Sequence, residues 1–280
     1  MPKIMSMKER STELYRVSQK FNYSGFTNTS KWINRISKDI LSKKVTIAEI
    51  KSDWDDIELS FRNEFIGKNE NWKYRELCYD AIEKIFQDLI ANRGIKKSSE
   101  AIERVMPALE LGNEGLENLK EIYYTLVEPK RLSEKRRFFG LCFMYLILLE
   151  GLFDETIRVL YILVKAQKGV DIDYESVETK NVGELKNGLP TILFEGYNSR
   201  LRNSIAHARF RFDDVQNKMT FNDIATKYRP AYSETLSIKD FAVNYYDKID
   251  NLCRLRTFYL ILLGTRDLIF APRPFGKTKM

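Results

Sequence analysis

Apolar residues recur at helical spacing along most of this chain, and few residues that favour turns interrupt them. Its 280 residues include only 13 glycines and 7 prolines. After a capping position at Thr29 or Ser30, one face of a helix is outlined by Trp32, Ile33, Ile36, Ile40 and Leu41. Apolar side chains at such intervals form the buried stripe of an amphipathic helix. We therefore expect an all-α fold.

The same spacing predicts helices throughout the first part of the chain. They cover residues 54–65, residues 74–91, a short segment that starts at Ser98 or Ser99, and residues 113–127. Pro129 ends this series, because a proline disfavours the helical conformation in the residue before it. We place a boundary there and expect residues 1–130 to form an N-terminal helical region, to which the sequence assigns no role.

A second series of elements follows residue 130. Ser133 is a suitable N-cap for a long helix that reaches about residue 168 and includes the apolar run at residues 138–149. Twelve apolar residues are too few to cross a membrane, so this run predicts a core helix and no membrane partner. Helical spacing resumes at about residue 190, with Gly196 as a candidate break, and continues to Ala208. Near its end, Leu201, Ile205 and Ala208 lie at helical spacing and predict a buried stripe.

The period of the pattern changes after Ala208. Polar and aromatic residues alternate from Arg209 to Phe212, which is typical of a strand, and a turn leads to a returning strand at residues 219–221. A final long helix covers residues 240–269. We therefore expect a domain at residues 131–270 with a short β-hairpin. A flexible basic tail at residues 271–280 follows it.

Composition narrows the classes of function. Lys and Arg number 46 against 39 Asp and Glu, so the net charge is +7. This excess favours a polyanionic partner, although simple solubility explains it as well. The three cysteines lie far apart without a C-x-x-C pair, which excludes a disulfide framework and a cysteine-rich zinc site and indicates a cytoplasmic location. The N-terminal residues show no apolar signal segment, so we expect no signal peptide.

The chain contains a single histidine, His207. One histidine excludes a metal site built from two or three histidines within one chain, and we expect neither a metal ion nor another cofactor. Four arginines lie within twelve residues of sequence beside it: Arg200, Arg202, Arg209 and Arg211. Guanidinium groups concentrated in this way are suited to phosphate.

These residue types fit the cleavage of RNA without a metal ion. His207 would take the proton from a ribose 2′-hydroxyl group, which then attacks the adjacent phosphate. An arginine would stabilise the charge of the transition state. The alternative is a histidine stabilised by the dipole at a helix C-terminus, beside ordinary surface arginines. The residues by themselves favour that simpler alternative.

A resemblance to a known family favours RNA cleavage over this simpler alternative. The segment from Arg202 to His207, RNSIAH, resembles the R-x-x-x-x-H motif of the HEPN superfamily, in which a polar residue often follows the arginine. Leu201 and Ala206 fit the usual form of the motif. Upstream, residues 148–155 place acidic side chains in an apolar helix, as the first core helix of that family does, and a hairpin and a long last helix follow. The resemblance covers about residues 131–270 and says nothing about the residues before them.

The resemblance implies a helical bundle that forms a homodimer and that is often a metal-independent endoribonuclease. Such proteins act in toxin–antitoxin systems, phage defence and RNA processing, so an antitoxin or another defence protein is a possible partner. Arg202 and His207 would be the catalytic pair, and Asn203 would position them. Arg200, Arg209 and Arg211 would bind the RNA.

Two alternatives to a ribonuclease stay open. Some HEPN proteins are not nucleases, so the chain could be a non-catalytic HEPN module that binds RNA, a nucleotide or a protein partner. The third possibility is a structural helical protein in which the motif occurs by chance. RNA cleavage that depends on His207 would separate the first alternative from a nuclease.

Glu150 and Asp154 lie four residues apart and share one face of an apolar helix, and Arg158 continues that face. Acidic groups in such a helix are costly unless they are paired. They could hold Arg202 or His207 in place. Alternatively, Asp154 and Arg158 form an ion pair within the helix at a solvated edge. The sequence favours neither interpretation.

Overall fold

The computed structural model of this chain describes residues 7–42, 47–68, 70–128, 131–178, 180–227 and 230–270. The protein is mostly helical, and it has a small three-stranded antiparallel sheet near the C-terminus. The mainly helical class is confirmed, and the expected hairpin is part of a larger sheet. The predicted boundary at residues 129–130 and the predicted tail at residues 271–280 lie outside the described residues.

Tertiary contacts divide the chain into two compact units. We call residues 1–69 with residues 258–280 the terminal unit, and residues 70–257 the middle unit. This division differs from the sequence-based boundary near residue 130. The physical reason is that residues 72–126 pack against the helix at residues 154–167 and so belong with the segment that follows them.

The terminal unit contains three helices, α1 (Met7–Tyr23), α2 (Thr27–Ser42) and α3 (Ile47–Ile66), and the end of the last helix of the chain. Its core is rich in aromatic residues. The ring centroid of Phe26 lies 5.0 Å from that of Phe61 and 4.9 Å from that of Phe258. The predicted stripe of α2 is buried at Ile33 and Ile36.

The middle unit begins with one long helical element, α4 (Trp72–Leu126), where the sequence predicted three helices. Gly94 interrupts it with φ 74° and ψ 164°, a backbone conformation that glycine adopts without a clash of a Cβ atom. The hydroxyl group of Ser98 donates to the carbonyl oxygens of Leu89 (3.2 Å) and Gly94 (2.7 Å). These bonds satisfy carbonyl groups that the interruption removes from the helical ladder.

The helix that carries the acidic residues starts at the predicted cap. α5 (Glu134–Leu148) follows Ser133, whose side chain accepts a hydrogen bond from the backbone N–H of Arg136. A π-helical turn (Leu149–Phe153) joins α5 directly to α6 (Asp154–Gln167), where the sequence predicted one regular helix. Such turns are frequent at functional sites, and this one contains Glu150.

Short elements lead from α6 to the motif. They are α7 (Glu175–Glu178), α8 (Val182–Leu185), two 3₁₀ turns (Lys186–Gly188 and Thr191–Phe194) and α9 (Ser199–Ala206). The helix predicted from about residue 190 to Ala208 is therefore a 3₁₀ turn followed by a shorter helix. Gly196 separates the two, and a Cβ atom there would lie 2.9 Å from the carbonyl oxygen of Tyr245. Only glycine fits this close approach without a shift of the backbone.

The sheet has the strand order β1 (Phe210–Asp213), β2 (Lys218–Asp223) and β3 (Tyr232–Ser237). The predicted hairpin of β1 and β2 is confirmed, with Phe210 paired to Phe221. The third strand was not predicted. It places Glu234 beside Phe221 at an inward position, and a carboxylate there hides the apolar alternation that marks a strand.

The last element that the structure describes is the predicted long helix, which is divided into α10 (Ile238–Phe241), a π-helical turn (Ala242–Tyr246) and α11 (Asp247–Phe270). Ser237 caps α10 and forms a reciprocal capping box with Asp240. In the part of the chain that the structure describes, no helix combines the length and the apolar character that a membrane span requires.

Candidate functional site

The motif lies on α9, a helix of eight residues in the middle unit. Asn198 caps its start, because the side-chain oxygen accepts hydrogen bonds from the N–H groups of Arg200 (3.0 Å) and Leu201 (3.1 Å). The predicted buried stripe is confirmed at Leu201 and Ile205. These side chains fix the rotation of α9, so Arg202 and Asn203 lie on its partly exposed faces.

α9 ends at the motif histidine. The backbone N–H of His207 donates to the carbonyl oxygen of Asn203 (3.0 Å), and Ala208 adopts a left-handed φ of 51°. Ala208 was expected in the buried stripe but is exposed, because the helix stops before it. His207 is also exposed, and its ring makes no hydrogen bond or ion pair with any described residue.

Arg202 is held on two sides by side chains that the sequence singled out. Its Nε pairs with Oε1 of Glu150 in the π-helical turn, and its Nη1 donates to Oδ1 of Asn203 (3.1 Å). The hydrogen bond that Arg202 donates to Glu150 raises the pKa of Arg202 above its ordinary value. Nη2 makes no hydrogen bond with any described residue. The guanidinium group is therefore oriented and still has donors to offer.

The second acidic residue has a different partner. Oδ2 of Asp154 lies 2.6 Å from Nη2 of Arg158, one helical turn further along α6. Arg158 also donates to the carbonyl oxygens of Val177 (3.2 Å) and Lys180 (3.3 Å). Burial raises the pKa of Asp154, and the charge of Arg158 opposes this rise. The two interpretations of the acidic stripe thus apply to different residues: Glu150 holds Arg202, whereas Asp154 pairs within its helix.

These groups line a polar cleft of about 710 Å³. Its described lining residues come from the π-helical turn and α6, the segment around α8, and α9: Leu149, Glu150, Asp154, Arg158, Lys180, Asn181, Val182, Tyr197, Ser199, Arg202 and Asn203. The structure therefore brings together four of the predicted site residues, Arg202, Asn203, Glu150 and Asp154. His207 is not among the lining residues, since it lies at the other end of α9.

The three remaining arginines of the predicted site do not line the cleft. The guanidinium carbon of Arg200 lies 6.0 Å from the ring centroid of Tyr232, within the range of a cation–π contact. Nη1 of Arg209 lies 3.5 Å from Oδ1 of the buried Asp223. Arg211 is exposed on β1. Each of these arginines thus has different contacts, and their role in binding RNA stays a prediction.

Sequence reasoning missed a hydrogen-bond network that supports the start of α9. Nδ2 of Asn198 donates to the hydroxyl oxygen of Tyr232 (3.2 Å), and that hydroxyl group donates to Glu234. The hydroxyl of Tyr245 donates to Oε1 of the same carboxylate (2.8 Å). The hydroxyl of Tyr145 donates to the carbonyl oxygen of Gly196 (2.9 Å). The Asn198-Ser199 pair is a recognisable cap signal. The tertiary partners of this segment, however, cannot be read from the neighbouring residues in the sequence.

The cleft residues Tyr197, Lys180 and Asn181 were also missed, because they come from irregular segments without a periodic pattern. Among the described residues, no group of three or more His, Cys, Asp and Glu side chains could hold a metal ion. The chain matches no protein-family model, no curated protein and no solved structure. The arrangement around Arg202 is therefore the basis of any functional assignment.

Proposed function

We propose that the middle unit contains a HEPN-like endoribonuclease site that cleaves RNA without a metal ion. The observation that carries this proposal is the setting of Arg202. It lines a polar cleft, is oriented by Glu150 and Asn203, and keeps Nη2 available. An arginine fixed in this way is suited to stabilise the charge of a phosphate in its transition state.

The proposed reaction needs a base and an acid in addition to this cation. His207 removes the proton of a ribose 2′-hydroxyl group, and the 2′-oxygen attacks the adjacent phosphorus atom. The bond from phosphorus to the 5′-oxygen breaks, and the protonated histidine of a second copy of the chain acts as the acid that gives this oxygen a proton. The products are a 2′,3′-cyclic phosphate end and a 5′-hydroxyl end. Arg202 stabilises the negative charge of the phosphorane-like transition state.

The position of His207 favours a homodimer as the working unit. Within one chain, His207 does not line the cleft that contains Arg202. One histidine also cannot be the base for the 2′-hydroxyl group and the acid for the leaving oxygen at the same moment. A second copy, related by a two-fold axis, would bring two histidines and two arginines together.

The same observation supports a second candidate function. A cleft that contains Arg202, Lys180 and Arg158 but not the histidine can bind RNA, a nucleotide or an acidic protein partner without cleaving anything. We therefore keep a non-catalytic HEPN module as the alternative. In either case, the setting that we propose is a cytoplasmic defence or toxin–antitoxin system with an antitoxin or defence protein as partner.

The test is cleavage of single-stranded RNA by the purified full chain in excess EDTA. We expect products with 2′,3′-cyclic phosphate ends, and a loss of about 100-fold or more in rate for Arg202→Ala and for His207→Ala. Lys227→Ala is the matched control, since this residue lies outside the cleft and the motif. An unchanged rate for His207→Ala would refute the assignment. RNA binding without cleavage by the wild type would favour the non-catalytic alternative.

A further inference from the structure

Tyr197 lies in the wall of the cleft, two residues before α9. Its ring stacks on the ring of Phe153, with the centroids 5.4 Å apart and the planes inclined by only 18°. Phe153 is completely buried, whereas Tyr197 is only partly buried. The tyrosine ring is therefore packed against a core residue, and the side chain is not completely covered.

The same side chain is close to the cation of the proposed site. Tyr197 and Arg202 line the same cleft. Burial raises the pKa of Tyr197, and the positive charge of Arg202 opposes this rise. Lys180 and Asn181 line the same cleft. Its volume of about 710 Å³ falls within the range of small-molecule sites, about 300–1,000 Å³. The cleft thus has a volume suited to a nucleotide, and both an aromatic residue and a cation line it.

An aromatic ring beside a cation is the arrangement by which proteins hold single-stranded nucleic acids. The cation contacts a phosphate, and the ring stacks on an adjacent base. Because every base has a π-face, this contact is tolerant of sequence. It does require an unpaired base, since the bases of a duplex already stack on their neighbours.

We propose that Tyr197 is a base-stacking residue, which binds an unpaired base of single-stranded RNA next to the phosphate that Arg202 contacts. The support of Phe153 keeps the ring in place before RNA binds, so little conformational freedom is lost on binding. This inference rests on the proposed function for the identity of its ligand. It concerns binding, however, and so can be tested without cleavage.

The probe is a single-stranded oligonucleotide in which every 2′-hydroxyl group is methylated, so that 2′-oxygen attack is impossible. It contains 2-aminopurine, whose fluorescence decreases when an aromatic ring stacks on it. Three variants of the full chain are compared with the wild type. Tyr197→Phe keeps the ring, Tyr197→Leu removes it, and Tyr124→Leu makes the same change at an exposed tyrosine that does not line the cleft.

We expect the wild type, Tyr197→Phe and Tyr124→Leu to bind the probe with similar affinity and to quench its fluorescence. Tyr197→Leu should bind about 5- to 150-fold more weakly, which corresponds to the 1–3 kcal/mol measured for one base–aromatic stack. It should also lose the quenching. The matching duplex should bind at least about 10-fold more weakly than the single strand. Circular dichroism shows whether Tyr197→Leu is folded, and Tyr197→Phe tests the role of the hydroxyl group independently of folding.

The outcomes separate this inference from the proposed function. Equal binding and equal quenching by Tyr197→Leu and the wild type would overturn the stacking role, even if the protein cleaves RNA. Quenching that depends on Tyr197 would support the stacking role, even if no cleavage occurs and the nuclease proposal fails. A wild type that binds neither single strand nor duplex would overturn the inference.

Discussion

The two ends of the motif, Arg202 and His207, differ in how firmly the surrounding side chains hold them. At Arg202, side chains from the π-helical turn and from α9 itself orient the guanidinium group beside a cleft. Five residues later, His207 is exposed, and its ring has no hydrogen-bond or ion-pair partner among the described residues. The proposed base would need a fixed position to act on one particular hydroxyl group, and the described side chains hold Arg202 in this way but not His207.

This difference has a structural cause. An advance of five residues on a helix rotates the side chain by about 140° relative to the first, since each residue contributes about 100°. Arg202 therefore faces α5 and its acidic π-helical turn, whereas His207 falls beyond the last turn of α9. One helix can place both residues in the same site only if another surface covers its end.

A second copy of the chain is the partner that we predict, and mixing two versions of the protein tests it. Sedimentation at micromolar concentration should give about twice the mass of one chain. Mixed dimers of wild type and His207→Ala should lose more than half of the activity per wild-type chain, because each site would use histidines from both copies. A monomeric protein with full nuclease activity would show that His207 and Arg202 act together within one chain.

The next largest effect concerns Arg202 and the carboxylate of Glu150 that holds it. Glu150→Gln keeps a hydrogen-bond acceptor for Arg202 but removes the negative charge, and Glu150→Ala removes both. We expect the cleavage rate to fall about 10-fold in the Ala variant and less in the Gln variant, from the loss of one charge-assisted hydrogen bond. Both side chains are more than a third exposed, so the free energy of unfolding should change by less than about 1 kcal/mol.

A rate that falls in parallel with stability would contradict this assignment, because Glu150 would then be a structural residue. The matched control is Glu195→Gln. This residue pairs with Lys248 at 3.0 Å, is also about half exposed, and does not line the cleft. It should leave both the rate and the stability unchanged.

The sequence predicted the elements whose cause is local. The stripe of Leu201 and Ile205, the cap at Ser133 and the alternation in β1 each depend on neighbouring residues, and all three are confirmed. β3 was missed because Glu234 lies at an inward position, where the hydroxyl groups of Tyr232 and Tyr245 donate to its carboxylate. α1 was missed because polar residues, such as Ser18, share its buried face with Leu14, Val17 and Phe21.

The site shows the same limit. The spacing of Glu150 and Asp154 indicated an acidic face, but only the fold shows that one of them pairs with Arg202 and the other with Arg158. The sequence spacing of Arg200, Arg209 and Arg211 suggested one basic cluster. In the structure these residues have separate surroundings, because α9 ends at Ala206 and the chain then turns into β1.

A further prediction concerns the three arginines that do not line the cleft. We predict that Arg200, Arg209 and Arg211 hold phosphates, so that their triple replacement by Ala weakens RNA binding to a similar extent for all sequences. The slope of log affinity against log salt concentration should decrease by up to about 0.7 for each phosphate of a single strand that the variant no longer neutralises. If the triple variant binds RNA with unchanged affinity at low salt, these three arginines do not bind RNA, and the cleft remains as the proposed binding site.

The smallest predicted effect tests whether Asp154 stabilises the folded wall of the cleft rather than taking part in the reaction. Because burial raises its pKa in the folded state, the folded protein holds this proton to a higher pH than the unfolded chain does. The contribution of Asp154 to the free energy of unfolding is therefore largest at low pH. It declines as the pH rises from the ordinary aspartate pKa of about 3.9 to the raised value, and it is constant above that.

Asp154→Asn keeps a hydrogen-bond partner for Arg158 but cannot titrate, so it isolates this effect. Denaturant unfolding of both proteins between about pH 3.5 and pH 7 should show that the stability of the wild type, relative to the variant, decreases as the pH rises across that window. If it increases instead, the ion pair with Arg158 at 2.6 Å outweighs the cost of burial, and the carboxylate stabilises the wall of the cleft in its charged form.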